Sequence, residues 1–137
     1  MTNVEAKVIP KKQLVAVYGT LRKGFSNHST MKQAKGRFID GYWTPPGYCM
    51  YDYGGFPAVA LDGMESIFLE IYEVEDMGIL DFLEGYPDLY QRSTISSPYG
   101  VCWIYHMSRD QISLTCPQIK CGDWAKYTEA YSLAGVL

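Results

Sequence analysis

No apolar run near the amino terminus approaches the roughly 20 residues that a membrane-crossing helix needs. The stretch from Leu14 to Val17 is only four residues long, and it is equally short for the core of a secretory signal, so the expected location is cytoplasmic. An excess of basic charge is also missing. Twelve Lys and Arg stand against 15 Asp and Glu, for a net charge of -3, and the cations are scattered rather than gathered into a stripe. No nucleic acid or membrane partner is expected. Metal-ligating types are sparse. The two histidines, His28 and His106, lie far apart, and Cys116 and Cys121 are spaced more loosely than the close pairs of structural zinc sites. The reading is no metal and no cofactor, with Cys49, Cys102, Cys116 and Cys121 kept reduced. No repeat, low-complexity tract or Pro/Gly/Ser-rich linker divides the chain. One domain over residues 1–137 is expected, with 1–12 as an amino-terminal extension.

Apolar residues make up 47% of the 137 residues, enough for one core that withdraws roughly two-thirds of the unfolded surface from water. Short β-branched and aromatic runs recur between turn residues, which predicts a sheet-rich fold. Strands are expected at Leu14–Tyr18, Arg37–Tyr42, Tyr48–Tyr51, Ala58–Leu61, Ile67–Val74 and Val101–His106. Their brevity suggests a small, strongly curved sheet or barrel. A short helix is expected over Asn27–Ala34, with Asn27 or Ser29 near its cap.

The best-marked helix runs from Asp76 to Glu84. Asp76 suits the N-cap, Gly85 the left-handed position after the last turn, and Pro87 bars continuation. At about 100° per residue, Phe82, Ile79, Leu83, Leu80 and Met77 share a broad apolar arc, and Glu84 falls inside it. Asp81 lies just beyond its edge and is expected to border solvent. A carboxylate on an apolar face must be paired, protonated or set at a cavity wall. Arg92 could pair with Glu84, or the last turn could fray into water. Alternatively Glu84 lines a pocket with its pKa raised toward neutrality, ready to accept and return a proton.

Leu14-Val-Ala-Val-Tyr18 followed by Gly19-Thr20-Leu21 reads as a buried strand ending abruptly in a turn. This could be an ordinary turn. It could also present backbone amides, freed from ladder partners, to an anion or a polarised carbonyl oxygen. It is no phosphate loop of the Walker type, since Lys23-Gly24 reverses the order such a loop requires. Ser26, Ser29 and Thr30 flank His28 without a nucleophile elbow, and His28 reads as a surface or capping residue. The tyrosines at positions 42, 48, 51, 53, 86, 90 and 99 suit barrel filling and rim, with one or two able to close over a ligand.

In order along the chain, these features resemble the gamma-glutamyl cyclotransferase-like family, and within it the gamma-glutamylamine cyclotransferase branch. The resemblance rests on Val17-Tyr-Gly-Thr-Leu-Arg-Lys-Gly24 with Asn27-His28, Gly47-Tyr48, Gly54-Gly-Phe-Pro-Ala58, Leu69-Glu-Ile-Tyr-Glu-Val74, Leu80-Asp-Phe-Leu-Glu-Gly-Tyr-Pro87 with Tyr90-Gln-Arg92, and Gly122-Asp-Trp124. It implies an α+β fold, a small mixed β-barrel with a few short helices. It further implies that Tyr18, Gly19, Thr20 and Leu21 bind the γ-glutamyl portion of a small-molecule substrate, and that Glu84 acts on protons to release 5-oxoproline. Leu69 stands where that family more usually has glycine. A same-fold enzyme for another γ-glutamyl or acyl conjugate, or a non-catalytic binding module, would share these residues.

Overall fold

A computed structural model describes residues 12–133; residues 1–11, the greater part of the expected extension, lie outside the described residues. In chain order the elements are β1 (Gln13–Val17), α1 (His28–Gln33), β2 (Arg37–Trp43), β3 (Tyr48–Asp52), β4 (Pro57–Glu65), β5 (Phe68–Val74), α2 (Met77–Glu84), β6 (Gln91–Ser97), β7 (Gly100–His106) and α3 (Trp124–Leu133). Five strands form a mixed sheet in the order β2-β5-β1-β7-β6, and β3 pairs with β4 in a separate hairpin. β1 sits at the centre, antiparallel to β5 and parallel to β7.

The composition of β1 explains that central place. A strand directs alternate residues to opposite faces, and Val15, Ala16 and Val17 are all buried. Val15 and Val17 enter one apolar cluster with Tyr72, Tyr105, Met31 of α1 and Met77 and Leu80 of α2. Ala16 enters a second cluster with Leu69, Ile71, Cys102, Ile104 and Trp124 of α3. The sheet is therefore covered on both faces, as its near-continuous apolar strands require. The hairpin feeds both clusters, Ala58 and Ala60 to the first and Met50 and Val59 to the second.

The sheet does not close, which corrects the expected barrel, while the α+β mixture of strands and short helices stands. β2 and β6 are its two edges, and Met107 at the end of β7 meets the hairpin through one backbone bond, its N–H donating to the Val59 carbonyl at 2.9 Å. Gln91, Thr94 and Ser96 are exposed on β6, a polar composition suited to an edge strand facing water. The same composition hid β6 from sequence reading, because Gln-Arg-Ser-Thr-Ile-Ser-Ser lacks apolar alternation. α3 was also not expected. Its start is fixed by Asp123, whose carboxylate accepts from the Ala125 and Lys126 amides at 3.0 and 3.4 Å. β4 extends to Glu65, four residues beyond the expected end at Leu61.

Candidate active site

α2 starts and stops as its sequence dictates. The Asp76 carboxylate accepts from the amides of Gly78 and Ile79 at 2.9 and 3.4 Å, and Gly85 takes φ 65° at the C-terminal end. Its buried arc is shifted from the projected one. Met77 and Leu80 are buried, whereas Phe82 is 90% exposed and Leu83 is 36% exposed. Only two turns long, the helix can cover the sheet with one narrow stripe, whose buried residues are Met77 and Leu80; at about 100° per residue Glu84 falls between them. Glu84 consequently lies nearer the middle of the inward face than its sequence projection placed it.

Arg92 does not pair with Glu84. Its guanidinium stands 2.7 Å from the Asp81 carboxylate, which also accepts from the Tyr105 hydroxyl at 2.7 Å. Asp81, expected to border solvent, is thus a partnered and mostly covered group. The cause is cross-strand registry. Arg92 on β6 lies opposite Tyr105 on β7, and the guanidinium is held over the rings of Trp103 and Tyr86 at 4.4 and 4.9 Å. With the cation committed to Asp81, Glu84 makes no ion pair and no side-chain hydrogen bond among the described residues. Its surface is partly open to a cavity, yet protein surrounds it closely enough that desolvation pushes its pKa from 4.5 up to about 7.

Across the same cavity lies the turn that ends β1. Val17 is the last residue in register with β5, opposite Glu70. The amide N–H groups of Gly19, Thr20 and Leu21 then have no protein acceptor among the described residues, while the Arg22 amide closes the turn onto the Gly19 carbonyl at 3.0 Å. Asn27, the N-cap residue of α1, makes no capping bond with its side chain. Instead its side-chain amide donates to the Thr20 hydroxyl at 2.9 Å, and its backbone amide donates to the Thr20 carbonyl at 2.9 Å. His28 is half-buried rather than a surface group, with Nδ1 2.9 Å from the Leu21 carbonyl oxygen. Gly19 is dictated by space, because a Cβ there would stand 2.6 Å from the Pro57 ring.

A buried polar cluster anchors this turn from behind, and sequence reasoning did not anticipate it. Arg22 reaches Glu70 at 3.2 Å and Asp123 at 3.0 Å. The second Glu70 oxygen accepts from the Lys23 amide at 3.0 Å and from the Tyr72 hydroxyl at 2.9 Å. The Phe68 ring lies 4.9 Å from the guanidinium carbon. Arg22, Glu70 and Asp123 are 48 to 101 positions apart in sequence, so no local pattern links them; the signal that could have found them is the presence of each inside a separate family-like stretch.

Tyr18, Gly19, Thr20, Leu21 and Glu84 all line one cavity of about 230 Å³. Tyr90 and Tyr105 line it as well, and the hydroxyl of each of the three tyrosines is committed elsewhere: Tyr18 to the Tyr105 carbonyl at 2.7 Å, Tyr90 to the Pro57 carbonyl at 2.5 Å, and Tyr105 to Asp81. Burial raises the pKa of all three, and the nearby Glu84 charge adds to the effect. They therefore stay neutral. Of the tyrosines expected to fill or rim the fold, Tyr90 reaches the cavity; Tyr42, Tyr48, Tyr51, Tyr53, Tyr86 and Tyr99 do not line it. Ser26, Ser29 and Thr30 also lie outside the lining. Among the described residues, no three His, Cys, Asp or Glu side chains are grouped to hold a metal ion, and the four cysteines are free. No helix among the described residues is long and apolar enough to cross a membrane. Chemically, the cavity offers a proton acceptor poised near neutrality, several uncommitted amides and no activated nucleophile.

Comparison with known proteins adds to this geometry. The family model described as "Gamma-glutamyl cyclotransferase, AIG2-like" matches residues 15–126. A Vibrio cholerae protein named "Putative gamma-glutamylcyclotransferase" is 40% identical over 94 residues, covering 67% of this chain and 79% of the relative. Among solved structures, a uropathogenic E. coli-specific protein superposes with a TM-score of 0.74 at 22% identity, over 87% of this chain and 97% of the other. An AIG2-like protein from Mus musculus gives a TM-score of 0.66 at 24% identity, over 80% and 86% of the two chains. At these identities the two structures bear on the fold alone.

Proposed function

Because the chain belongs to the gamma-glutamyl cyclotransferase, AIG2-like family, we propose that it converts a γ-glutamyl amide to 5-oxoproline and a free amine, with Glu84 as proton shuttle and the Tyr18–Leu21 turn as substrate cradle. The observation that carries this reading is an unpaired carboxyl with a pKa of about 7 lining the same cavity as the uncommitted Gly19, Thr20 and Leu21 amides.

The substrate brings its own nucleophile. Its α-ammonium has no lone pair, so the Glu84 carboxylate first removes a proton. The freed amine attacks the γ-carbonyl carbon, a C–N bond forms to close the five-membered ring, and the carbonyl π electrons move onto oxygen. When that oxyanion collapses, the bond to the departing nitrogen breaks and Glu84 returns its proton there. A second proton passes from the ring nitrogen through Glu84 to the leaving amine. The ring ends as a neutral lactam, the amine leaves as ammonium, and Glu84 is again a carboxylate. The turn amides hold the α-carboxylate or the developing oxyanion. Keeping the flexible glutamyl chain folded supplies an orientation effect of several kcal/mol. No step calls for a metal or cofactor.

Incubation with a panel of γ-glutamyl amides, followed by mass spectrometry for 5-oxoproline, tests the reaction. Glu84→Gln should reduce turnover about 100-fold or more while leaving binding intact. A fully active Gln variant sinks the assignment. Tight binding of a γ-glutamyl amide with no product from the wild-type protein would instead indicate a binding module.

A further inference from the structure

Asn27 and His28 have no part in the chemistry assigned so far, yet both bond to the turn that ends β1. Three peptide planes of that turn are each held by their carbonyl. Gly19 accepts from the Arg22 amide at 3.0 Å, Thr20 from the Asn27 amide at 2.9 Å, and Leu21 from His28 Nδ1 at 2.9 Å. In a trans peptide the N–H points opposite to the C=O. Holding the Gly19 and Thr20 carbonyls therefore directs the Thr20 and Leu21 N–H groups to the other side, and both residues line the cavity. Holding the Leu21 carbonyl likewise sets the direction of the Arg22 N–H, the group that closes the turn.

The Leu21 carbonyl depends on His28. Among the described residues no backbone amide of the turns and loops donates to it, and Leu21 is 2% exposed, so little water can take the place of the ring. A carbonyl oxygen only accepts, which puts the ring hydrogen on Nδ1. The ring is placed from its other side by the buried Tyr72, with centroids 5.9 Å apart, and the Tyr72 hydroxyl donates to Glu70 at 2.9 Å. The same Glu70 oxygen accepts from the Lys23 amide at 3.0 Å. His28 thus joins the turn to the polar cluster behind it. It does not line the cavity, so it acts through the turn rather than on the substrate.

We infer that His28 is a positioning residue for substrate binding: by donating from Nδ1 to the Leu21 carbonyl it holds the peptide between Leu21 and Arg22 in the plane that closes the turn, and with it the direction of the amides that hold the substrate. This rests on the cyclisation reading above. Loss of the donor leaves a buried carbonyl unpaired, a cost the turn relieves by rotating that peptide toward another partner. The amides then lose their common direction, and binding weakens while the proton chemistry of Glu84 is untouched.

Three variants test this. His28→Phe keeps a ring against Tyr72 and removes the donor. His28→Asn places a side-chain amide nitrogen where Nδ1 stands, and His28→Gln carries the same group one carbon further. With a γ-glutamyl amide that the wild type converts, the Phe and Gln variants should raise KM about tenfold, the size of one unmade hydrogen bond. Their kcat and the acidic limb of the pH profile should stay nearly unchanged, as expected when only uniform binding is lost. His28→Asn should restore KM. In proton–nitrogen correlation spectra the Thr20 and Leu21 amide signals should shift in the Phe and Gln variants and return in the Asn variant, a readout independent of turnover. If the Phe variant fails to fold, the Asn and Gln pair decides alone. Wild-type KM in the Gln variant, or a loss that His28→Asn does not restore, overturns the inference and leaves the cyclisation reading standing. Absence of 5-oxoproline from the wild type with every amide of the panel overturns the cyclisation reading and this inference with it.

Discussion

Glu84→Gln should make the protein more stable in alkaline solution while making it a poorer catalyst. Burial raises the carboxyl pKa from 4.5 to about 7, so between these values the folded state holds a proton that the unfolded state has lost. Stability from this group is fully present below pH 4.5 and is lost as pH rises through about 7. At about 1.4 kcal/mol for each tenfold change in proton affinity, the carboxylate weakens the fold by up to roughly 3 kcal/mol at pH 8.5. Access to cavity water reduces that to about 2 kcal/mol. Gln has nearly the same shape and no charge. The variant should therefore match the wild type near pH 4 and exceed it near pH 8.5 by about 2 kcal/mol, or several degrees in melting temperature for a domain of this size. Urea unfolding at both pH values, with 5-oxoproline formation measured in parallel, provides the assay. Equal stability of the two proteins at pH 8.5 would refute the claim that Glu84 is desolvated and unpaired, whatever the activity shows.

Three further outcomes are expected. For the wild type, kcat/KM should fall about tenfold per pH unit below about 7, as Glu84 becomes protonated; a break near 4.5 would show an ordinary exposed carboxyl. Arg22→Met leaves the buried Glu70 and Asp123 carboxylates without their cation and should cost about 3–5 kcal/mol. Adding Glu70→Gln should recover part of the loss, and additive destabilisation in urea would contradict a coupled network. Gly19→Ala forces a methyl toward Pro57, 2.6 Å away, and should cost about 1–3 kcal/mol while raising KM through the displaced turn; an unchanged KM and melting temperature would show that the turn shifts freely.

Local physics made much of this protein legible in one dimension. The limits of α2 follow from Asp76 and Gly85, whose capping needs only neighbouring backbone. The centre of the sheet follows from Leu14 to Val17, because a run apolar on both alternating faces must be covered on both. β6 and the open sheet were not legible: an edge strand facing water needs no apolar pattern, and closure depends on pairing between distant strands. The helix projection found Glu84 but misjudged its neighbours, placing Phe82 inward when it is 90% exposed. A short helix has too few apolar positions to fix its own rotation, which packing against Val15, Val17 and Tyr105 sets instead.

The sequence by itself determined that a carboxylate would end α2 and that a glycine turn would end β1. The tertiary structure decided what each can do. Cross-strand registry of Arg92 with Tyr105 delivers the available cation to Asp81 rather than Glu84, and the convergence of Arg22, Glu70 and Asp123 fixes the turn across the cavity. Proton affinity and amide orientation depend on which groups surround them in space. Residues separated by up to 101 positions set those surroundings, beyond the reach of any spacing rule along the chain.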